Sequence, residues 1–470
     1  RPYDSYNNKI YPFLEDTGHF VDVAIRDRNV RCKIWKCTSF DNVDLYLLDT
    51  DLPENEDSWI TGQLYGWFGE ERIAQEMVLG IGGVKALRKL GIKAEVYHFN
   101  EGHAVLAATE LIREKMDKGA DFQKALTKTR KEVVFTTHTP IVQGNESHYI
   151  DRLKYMGAFN GLTTEQMVSL GGAPFNMTVA ALKVSKKSNA VSQLHAETAN
   201  TMWQSVEYNK PIIGITNAIH LDTWVDPAMV SAAKSGAKLD VIHFEHKKKL
   251  VEFIKNRTGQ KLNPENLIIG FGRRAAPYKR SNLIFKNEAI IGPLLKSGKL
   301  QIIFSGKAHP LDDTGKSIIS ELVTYTKKYP NSVVYLENYD MEIASHMTKG
   351  ADVWLNNPVR PLEASGTSGM KAAMNGVPNF SVLDGWWPEI CTHGHNGWEI
   401  GDGLEFETWE EHDDNDLTSL YKTLLEEIIP TYYDNKHRWQ EIMKNSILDT
   451  IEMFGVKRML QEYYNELYMA

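Results

Sequence analysis

Cysteine is scarce in this sequence. Its 470 residues include three cysteines, Cys32, Cys37 and Cys391. An odd number, with one member far from the other two, excludes a disulfide framework and does not supply the four ligands of a structural zinc site. Cysteine usage of this kind suits a reducing compartment, so we expect a cytoplasmic protein.

Long hydrophobic runs are also absent. No window approaches the ~18–20 apolar residues of a membrane-spanning helix. The N-terminal sequence RPYDSYNNKIYPF lacks the apolar core of a signal peptide. The sequence therefore predicts no membrane association. The chain begins at Arg1 without an initiator methionine, and we expect Arg1 to be an interior residue of a longer parent chain.

A strong charge of one sign is missing as well. The chain has 53 lysines and arginines against 61 aspartates and glutamates, a formal net charge of −8. Both signs are dispersed, and without a basic tract we expect no nucleic-acid partner. With 42% hydrophobic and 24% charged residues, the composition is that of a globular protein. A length of 470 residues exceeds one ordinary core, which predicts two or three domains.

Short apolar runs alternate with longer segments of helical period, a pattern typical of parallel sheets with crossover helices. The predicted strands form two series: 95–100, 132–138, the start of 187–203 and 211–219, then 266–274, 300–308, 332–340, 351–358 and 377–385. The series pauses between about 220 and 262. The sequence thus predicts an α/β protein with two facing lobes, 1–240 and 241–470. A helical tail over 438–468 either closes the second lobe or crosses back to the first.

Polar residues gather just after the predicted strands, where open parallel sheets bind their ligands. The segment FGRRAAPYKRSNL (271–283) passes from a strand end into a helix start, with Arg274 and Lys279 five residues apart across the turn. Both cations can face a helix N-terminus, where an anion is already favoured, so the segment predicts a phosphate or diphosphate clamp. A solvated basic patch at a helix start fits the local sequence equally well.

The segment RPLEASGTSGMKAAMNG (360–376) surrounds one carboxylate, Glu363, and one lysine, Lys371, with small residues. Residues 365–369 offer backbone amides and hydroxyls in a small-residue turn, which suits a phosphate nest. Lys371 lies in apolar company, and a desolvated lysine titrates low enough to form a Schiff base, the attachment that pyridoxal phosphate uses. The alternative is an amphipathic lysine whose ammonium reaches solvent from a helix start.

Other apparent signals do not predict a site. The glycines of LGIGGVKAL (79–87) miss the G-x-G-x-x-G spacing and stand in helical surroundings, which excludes a dinucleotide site there. His393 and His395 are accompanied by neither H-E-x-x-H nor a carboxylate cluster, so we expect a loop and no metal. The sequence contains no G-x-S-x-G and no Walker A motif.

Eight separated motifs occur between about residue 40 and the C-terminus. They are YHFNEGH (97–103), TTHTP (136–140), NAVSQLH (189–195), ITNAIH (215–220), GRRAAPYKR (272–280), SGKAHP (305–310), LENYDM (336–341) and EASGTSGMKAAMNG (363–376). Through these motifs the sequence resembles the α-glucan phosphorylases, which act on glycogen, starch or maltodextrin, in their compact microbial form. The last motif is the most specific. Nucleotide-sugar glucan synthases share the architecture, but we do not expect them to carry its Gly-Met-Lys segment.

The resemblance implies a GT-B glycosyltransferase fold, two facing Rossmann-like lobes with the active site in the cleft between them, and pyridoxal 5′-phosphate as cofactor. It implies Lys371 as the Schiff-base lysine, with Tyr339, Thr367 and Ser368 near the cofactor's phosphate. Arg274 and Lys279 would hold the substrate phosphate, with Tyr278 close to the sugar. The sugar-binding residues implied are Glu363, Ser365 and Gly366 from one lobe and His138 and Asn189 from the other, with the His138 carbonyl near the anomeric carbon and His103 at the back of the pocket.

The implied activity is the reversible phosphorolysis of an α-1,4-glucan or maltooligosaccharide by inorganic phosphate. It yields α-D-glucose 1-phosphate with retention, and a homodimer is the family's usual assembly. The family also implies a glycine-rich turn of the type S-G-G-L-G in a first βαβ unit, and no such turn stands upstream of residue 40. Two other functions therefore stay open: a glucan-binding relative without turnover, and a nucleotide-sugar-dependent glucan synthase.

Overall fold

The structure is a computed structural model that describes residues 3–4, 10–39, 43–64, 69–207, 211–309 and 311–469. The chain divides into two compact units. The amino-terminal unit comprises the chain up to Ala190, Ala199–Ile213 and the residues from Asn465 on, and the carboxy-terminal unit comprises Val191–Thr198 and Gly214–Tyr464. Arg1 lies outside the described residues, as does Pro310 of the SGKAHP motif.

The elements of the amino-terminal part are mostly short. Its strands are β1 (Tyr3–Asp4), β2 (Glu15–Ile25), β3 (Arg28–Cys37), β4 (Leu45–Asp49), β5 (Gln63–Leu64), β6 (Tyr97–Asn100), β7 (Val133–Thr136), β8 (Ser147–His148), β9 (Phe175–Asn176), β10 (Lys187–Ala190) and β11 (Ile213–Gly214). Its α-helices are α1 (Glu70–Met77), α2 (Gly83–Lys89), α3 (Ala107–Asp117), α4 (Phe122–Glu132), α5 (Ile150–Met156), α6 (Thr164–Gly171), α7 (Met177–Val184) and α8 (Gln193–Met202).

The predicted strand series starts at 95 and so misses an antiparallel sheet that precedes it. Strands β2, β3 and β4 form this three-stranded sheet. In β2 the buried side chains alternate, as Val21, Val23 and Ile25, while Asp22 between them is exposed. An antiparallel sheet with one solvated face alternates buried apolar residues with exposed, mostly polar ones. Because of these polar residues, β2 and β3 lack the continuous apolar run by which the parallel strands were predicted.

The predicted parallel sheet of the amino-terminal unit is confirmed. Its order is β11-β10-β7-β6, and β7 pairs in parallel with both β6 and β10. Strand β7 is buried along its whole length, as expected for the centre of a parallel sheet. The carboxyl ends of these strands place His103, His138 and Asn189 at one edge of the sheet.

The glycines of LGIGG serve helix packing. Residues Val78–Gly82 form a π-helical turn between α1 and α2, which confirms the helical surroundings expected from the sequence. A Cβ added at Gly80 would lie 2.6 Å from the backbone nitrogen of Ala107 in α3. Glycine is therefore required here for the close approach of two helices, and not for binding a dinucleotide.

The carboxy-terminal part alternates strands with helices. Its strands are β12 (Leu267–Gly272), β13 (Leu300–Ser305), β14 (Val333–Leu336), β15 (Val353–Asn356), β16 (Asn379–Val382) and β17 (Gly397–Ile400). Its α-helices are α9 (Leu221–Trp224), α10 (Pro227–Ser235), α11 (Asp240–Thr258), α12 (Glu288–Lys296), α13 (Asp313–Lys328), α14 (Met341–Gly350), α15 (Thr367–Ala373), α16 (Trp409–Thr423), α17 (Ile429–Asp434), α18 (Lys436–Ile451) and α19 (Val456–Glu462).

These strands form one six-stranded parallel sheet in the order β14-β13-β12-β15-β16-β17. The predicted strands of the second series are confirmed as β12 to β16. Strands β12, β13, β15 and β16 are buried at every residue, because helices cover both faces of such a sheet. The order reverses direction between β12 and β15, and ligands bind outside the carboxyl ends of strands at such a point.

The helical tail is confirmed, with α18, α19 and a final π-helical segment, Tyr463–Tyr468. Trp439, Met443 and Ile447 of α18 pack into the main core of the carboxy-terminal unit. Among the described residues, no helix combines the length and the apolarity needed to cross a membrane. The boundary between lobes at residues 240 and 241 stays a prediction.

Candidate active site

The carboxyl end of β12 is held tightly to the loop after β13. The backbone N–H of Arg273 donates to the carbonyl of Ser305 over 3.0 Å, and a Cβ added at Gly306 would lie only 1.9 Å from the Arg273 carbonyl oxygen. No residue but glycine fits beside that carbonyl. The chain then turns through a short 3-10 helix, Pro277–Lys279, which brings Lys279 back beneath the strand end.

A buried ionic cluster lies at this turn. One oxygen of Glu363 accepts from Nη2 of Arg273 over 2.7 Å and from Nζ of Lys279 over 2.9 Å. The three side chains are each at most 8% exposed. Burial alone would raise the pKa of Glu363, but the charges of Arg273 and Lys279 outweigh it and hold that pKa below its ordinary value. Glu363 is therefore an ionised acceptor with two cations at its side.

The two arginines of GRRAAPYKR have different surroundings. Arg273 is buried, whereas Arg274 is exposed and forms no ion pair with another described residue. Arg274 is therefore free to meet an anion arriving from solvent. Tyr278 is half-buried, and the Lys279 ammonium lies 4.7 Å from its ring centroid, so the aromatic face and the cation form one surface.

The loop after Glu363 is shaped by glycines. Gly366 has a φ of +89° and a Cβ there would approach Nη2 of Arg273 at 3.4 Å. Ser365 is buried, and its hydroxyl oxygen has no hydrogen-bond partner among the described residues. Nη1 of Arg273 is likewise buried and unpartnered within the described part of the chain. Unpaired buried polar atoms are costly, so this pair marks a place where a ligand would complete the hydrogen bonding.

Helix α15 begins at this loop and carries Lys371. Thr367 and Ser368, both half-buried, form its first turn. The Lys371 ammonium lies 3.5 Å from the ring centroid of Trp224. Burial lowers the pKa of Lys371 to about 8, because a desolvated ammonium is disfavoured. Asn375 fixes the pair by donating to the carbonyls of Trp224 and Lys371 over 2.9 and 2.8 Å.

Tyr339 lies against the glycine that ends β12. A Cβ added at Gly272 would lie 3.1 Å from the Tyr339 ring and 3.0 Å from the ring of Trp354. Burial raises the pKa of Tyr339 to about 12, so its hydroxyl keeps its proton and can donate. The rings of Tyr339 and Trp354 therefore pack directly against Gly272 and fill the space that a side chain would occupy there.

In the amino-terminal unit, His138 follows β7 and is fixed by two neighbours. Its backbone N–H donates to a carboxylate oxygen of Glu101 over 2.7 Å, and its Nε2 lies 2.5 Å from Oδ1 of Asn100. Burial lowers the pKa of His138, although the Glu101 charge opposes the shift. Glu101 itself has a φ of +65°, a conformation that non-glycine residues avoid and that tends to occur at functional sites.

Asn189 is completely buried at the end of β10. Its Oδ1 accepts from the Thr136 hydroxyl over 2.6 Å, and its carbonyl accepts from the Thr137 N–H over 2.9 Å. These bonds fix the strand end that leads into His138. The structure thus brings Asn189 and His138 to one edge of the sheet through the backbone of residues 136–138.

His103 lies in a group of charged residues. Its Nδ1 is 2.6 Å from Nη2 of Arg72, and Arg72 Nε also pairs with Glu146 over 3.1 Å and with Glu76 over 3.3 Å. Glu76, His103 and Glu146 have ligand atoms within 4.8 Å of one another. The guanidinium of Arg72 already supplies a cation to all three, which argues against a metal ion. Burial, followed by the Arg72 charge, lowers the pKa of His103.

Arg273 and Glu101 were predicted from the sequence as polar candidates at strand ends without a specific role, and Trp224 was not singled out. Arg273 and Arg274 are adjacent, and successive side chains of an extended segment point in opposite directions. This alternation was the signal that one of the two arginines would be buried and the other exposed. Trp224 contacts Lys371 from a different helix, and no sequence signal links the two. Glu101 stands inside the YHFNEGH motif, but its left-handed backbone is visible only in the structure.

Known proteins resemble this chain along nearly all of its length. A family model described as carbohydrate phosphorylase matches residues 226–416. The maltodextrin phosphorylase of Thermococcus litoralis is 38% identical over 99% of the chain and 62% of the relative. The glycogen phosphorylase of Mycobacterium bovis is 33% identical over 99% of the chain and 64% of the relative. The glycogen phosphorylase of Aquifex aeolicus is 34% identical over 99% of the chain and 76% of the relative. The chain thus spans less than two thirds of the length of the first two relatives.

Proposed function

The chain belongs to the carbohydrate phosphorylase family, among the α-glucan phosphorylases, and on that premise we propose that it catalyses reversible phosphorolysis of α-1,4-glucans. Inorganic phosphate would release α-D-glucose 1-phosphate with retention of configuration. The observation that carries the proposal is the cluster in which Glu363 is held by the buried cations Arg273 and Lys279. It places a sugar-hydroxyl acceptor, in the loop before α15, beside anion-binding groups on the turn that follows β12.

The residues around Lys371 fit pyridoxal 5′-phosphate. With a pKa of about 8, a useful fraction of the Lys371 amine is unprotonated at neutral pH and able to hold an aldehyde. Thr367 and Ser368 at the start of α15, with Tyr339, would hold the cofactor's phosphate. Nη1 of Arg273, which lacks a partner within the described chain, would add a charged donor.

When bound, pyridoxal phosphate supplies a phosphate monoester whose second pKa, about 6, lets it exchange protons with inorganic phosphate near neutral pH. The substrate phosphate would be bound by Arg274 from the solvent side and by Lys279 from the buried side. Two neighbouring phosphates repel each other, and these two cations offset that repulsion.

Glu363 would bind sugar hydroxyls and would not attack the anomeric carbon. A retaining glycosidase needs one free carboxylate as nucleophile and another as acid. Glu363 pairs with two cations at 2.7 and 2.9 Å. Because these cations neutralise its charge, Glu363 is a poor nucleophile. Its remaining oxygen, the Ser365 hydroxyl and the backbone at Gly366 are the groups that would receive a glucose unit, next to Tyr278.

Residues of the amino-terminal unit would serve the same reaction. Asn100 and Glu101 hold His138 in one orientation, so we propose that the His138 side chain binds a glucose hydroxyl and that its carbonyl faces the anomeric carbon. Asn189 and His103 would complete the sugar-binding set. A homodimer, a cytoplasmic location and a GT-B arrangement of two lobes stay predictions.

Glucan binding without turnover is the second candidate. Within the described chain, the loop with Glu363 and the unpartnered Ser365 hydroxyl would bind maltooligosaccharides whether or not phosphorolysis follows. The nucleotide-sugar glucan synthase, by contrast, gains no support from any contact described above.

Cofactor retention tests the proposal without requiring turnover. The protein is incubated with pyridoxal phosphate, passed over a desalting column and examined by absorbance. Wild type should retain the cofactor in a one-to-one ratio and Lys371→Ala should not, while the control Lys349→Ala, another half-buried lysine near the end of a helix, should behave as wild type. If the wild-type protein retains no pyridoxal phosphate after the desalting column, the cofactor assignment is wrong.

A further inference from the structure

Asp384 is a buried carboxyl group for which the reaction proposed above has no use. It follows β16 and is 0% exposed. Its Oδ2 accepts from the backbone N–H of Glu363 over 2.9 Å, and its Oδ1 accepts from the backbone N–H of Gly385 over 2.8 Å. The first bond joins the segment after β16 to the loop that carries the sugar-binding carboxylate, and the second fixes the Asp384 carboxyl against its own backbone.

A second contact holds the same loop two residues further on. The backbone N–H of Trp386 donates to the carbonyl of Ser365 over 3.0 Å. Gly385 between the two contacts has a φ of +60°, and a Cβ there would lie 2.2 Å from the Ser365 carbonyl oxygen. Residues 384–386 therefore hold residues 363–365 at both ends, and the side chain of Asp384 makes one of the two attachments.

These contacts determine where the Glu363 carboxylate can lie. Its position between Arg273 and Lys279 depends on the direction in which its Cα–Cβ bond leaves the backbone. The Asp384 carboxyl accepts from the amide of that same residue. Burial, followed by the neighbouring charge of Glu363, raises the pKa of Asp384 to about 8. Ionising a carboxyl group that is buried so close to the Glu363 charge is unfavourable, and such perturbed groups cluster at functional sites. This supports a role for Asp384 in holding the loop of Glu363.

We propose that Asp384 is a positioning residue that orients the sugar-binding loop 363–366 through the backbone of Glu363. This inference rests on the proposed function for its ligand, glucose units of an α-glucan, but not for the contact itself. Asp384 acts on the sugar side of the site, since its two bonds reach neither Arg274 nor Lys279. Removing it should therefore weaken sugar binding more than phosphate binding.

Hydrogen exchange tests the positioning role without any ligand. In Asp384→Ala, the amides of residues 362–366 should exchange at least about tenfold faster than in wild type, because the Glu363 N–H loses its acceptor. Asp384→Asn keeps one carbonyl oxygen and should show a smaller increase. The control Asp352→Asn changes another buried aspartate of the same unit, 2% exposed, which accepts from the Ile268 N–H over 2.7 Å. It should leave the exchange of 362–366 unchanged even if it lowers the melting temperature.

Calorimetric titration of the cofactor-loaded protein tests the consequence. Maltotriose should bind about tenfold more weakly to Asp384→Ala and be weakened less in Asp384→Asn, while both variants bind inorganic phosphate within about twofold of wild type. Gly385→Ala gives a second route to the same loop, because its methyl group would displace the Ser365 carbonyl, and it should show the same selective loss.

Three results separate the inference from the proposed function. Unchanged exchange over 362–366 in folded Asp384→Asn would overturn the positioning role, and so would an equal loss of maltotriose binding in Asp352→Asn. Wild-type protein that fails to bind maltotriose would overturn the proposed function, and the exchange measurement would still decide the role of Asp384.

Discussion

Replacing Glu363 by glutamine tests the ionic cluster at the centre of the proposed site. The change keeps the side chain's size and removes the charge that neutralises Arg273 and Lys279, which are 6% and 8% exposed. Breaking a buried pair by removing one partner costs about 3–5 kcal/mol, because the other charge stays buried and unpaired. Two cations lose their counter-ion here, so we expect the free energy of unfolding to fall by about 4–5 kcal/mol.

The assay is thermal unfolding with and without inorganic phosphate. For a unit of this size, each kcal/mol lowers the melting temperature by about 2–4 °C, so the unit should melt about 8–20 °C earlier. Phosphate should restore part of the loss, since it can pair with the freed cations. At a concentration of about 100 times its dissociation constant it would return about 2.7 kcal/mol. The rise in melting temperature caused by phosphate should be larger in Glu363→Gln than in wild type, in which Glu363 competes with phosphate for Lys279.

Glu342→Gln is the matched control. Glu342 pairs with Arg257 over 2.8 Å, but the two side chains are 60% and 40% exposed, and such a surface pair contributes about 0–1 kcal/mol. If Glu363→Gln melts no earlier than Glu342→Gln, the cluster does not hold the loop. If it melts earlier but phosphate protects it no better than wild type, Arg273 and Lys279 are not the anion-binding groups.

Two further predictions concern the cations of the site. Lys371 has a pKa of about 8, and only its neutral amine reacts. The rate at which the apo-protein captures pyridoxal phosphate should therefore rise about tenfold per pH unit below about pH 8 and level off above it. A stopped-flow absorbance series that is flat below about pH 8, or still rising at about pH 10, would contradict this. Arg274→Ala should raise the KM for phosphate and lower kcat without moving the melting temperature, because the exposed Arg274 forms no ion pair in the described chain, whereas Arg273→Ala should melt clearly earlier. Kinetics and melting curves on the same preparations check both, and unchanged phosphate kinetics in Arg274→Ala would refute its assignment.

The sequence predicted the parallel sheets well because their strands are buried on both faces. Strand β12, LIIGFG, is a continuous apolar run that ends at Gly272. The polar residues of the candidate site begin directly after this glycine. The antiparallel sheet β2–β4 escaped prediction for a different reason, since one face of β2 and β3 meets solvent and polar residues interrupt their apolar runs. The apolar run of β4, LYLL, was missed although nothing interrupts it. Strand 211–219 was predicted from the same apolar pattern, and only Ile213–Gly214 pairs in the sheet.

The site was predictable where neighbours in sequence are neighbours in space. Glu363, Ser365, Gly366 and Lys371 occupy one motif, and the structure keeps them on one loop and the helix that follows it. Contacts between distant segments were not predictable. The approach of Asp384 to the Glu363 amide and of Trp224 to Lys371 depends on how the sheet and its covering helices pack.

Release of glucose 1-phosphate from a maltooligosaccharide shows whether the protein is a phosphorylase. Wild type loaded with pyridoxal phosphate is incubated with a maltooligosaccharide and inorganic phosphate, alongside Lys371→Ala and the control Lys349→Ala. We expect phosphate-dependent release of α-D-glucose 1-phosphate by wild type and by Lys349→Ala, and none by Lys371→Ala. No release from cofactor-loaded wild type that binds the maltooligosaccharide would contradict phosphorolysis and favour glucan binding without turnover.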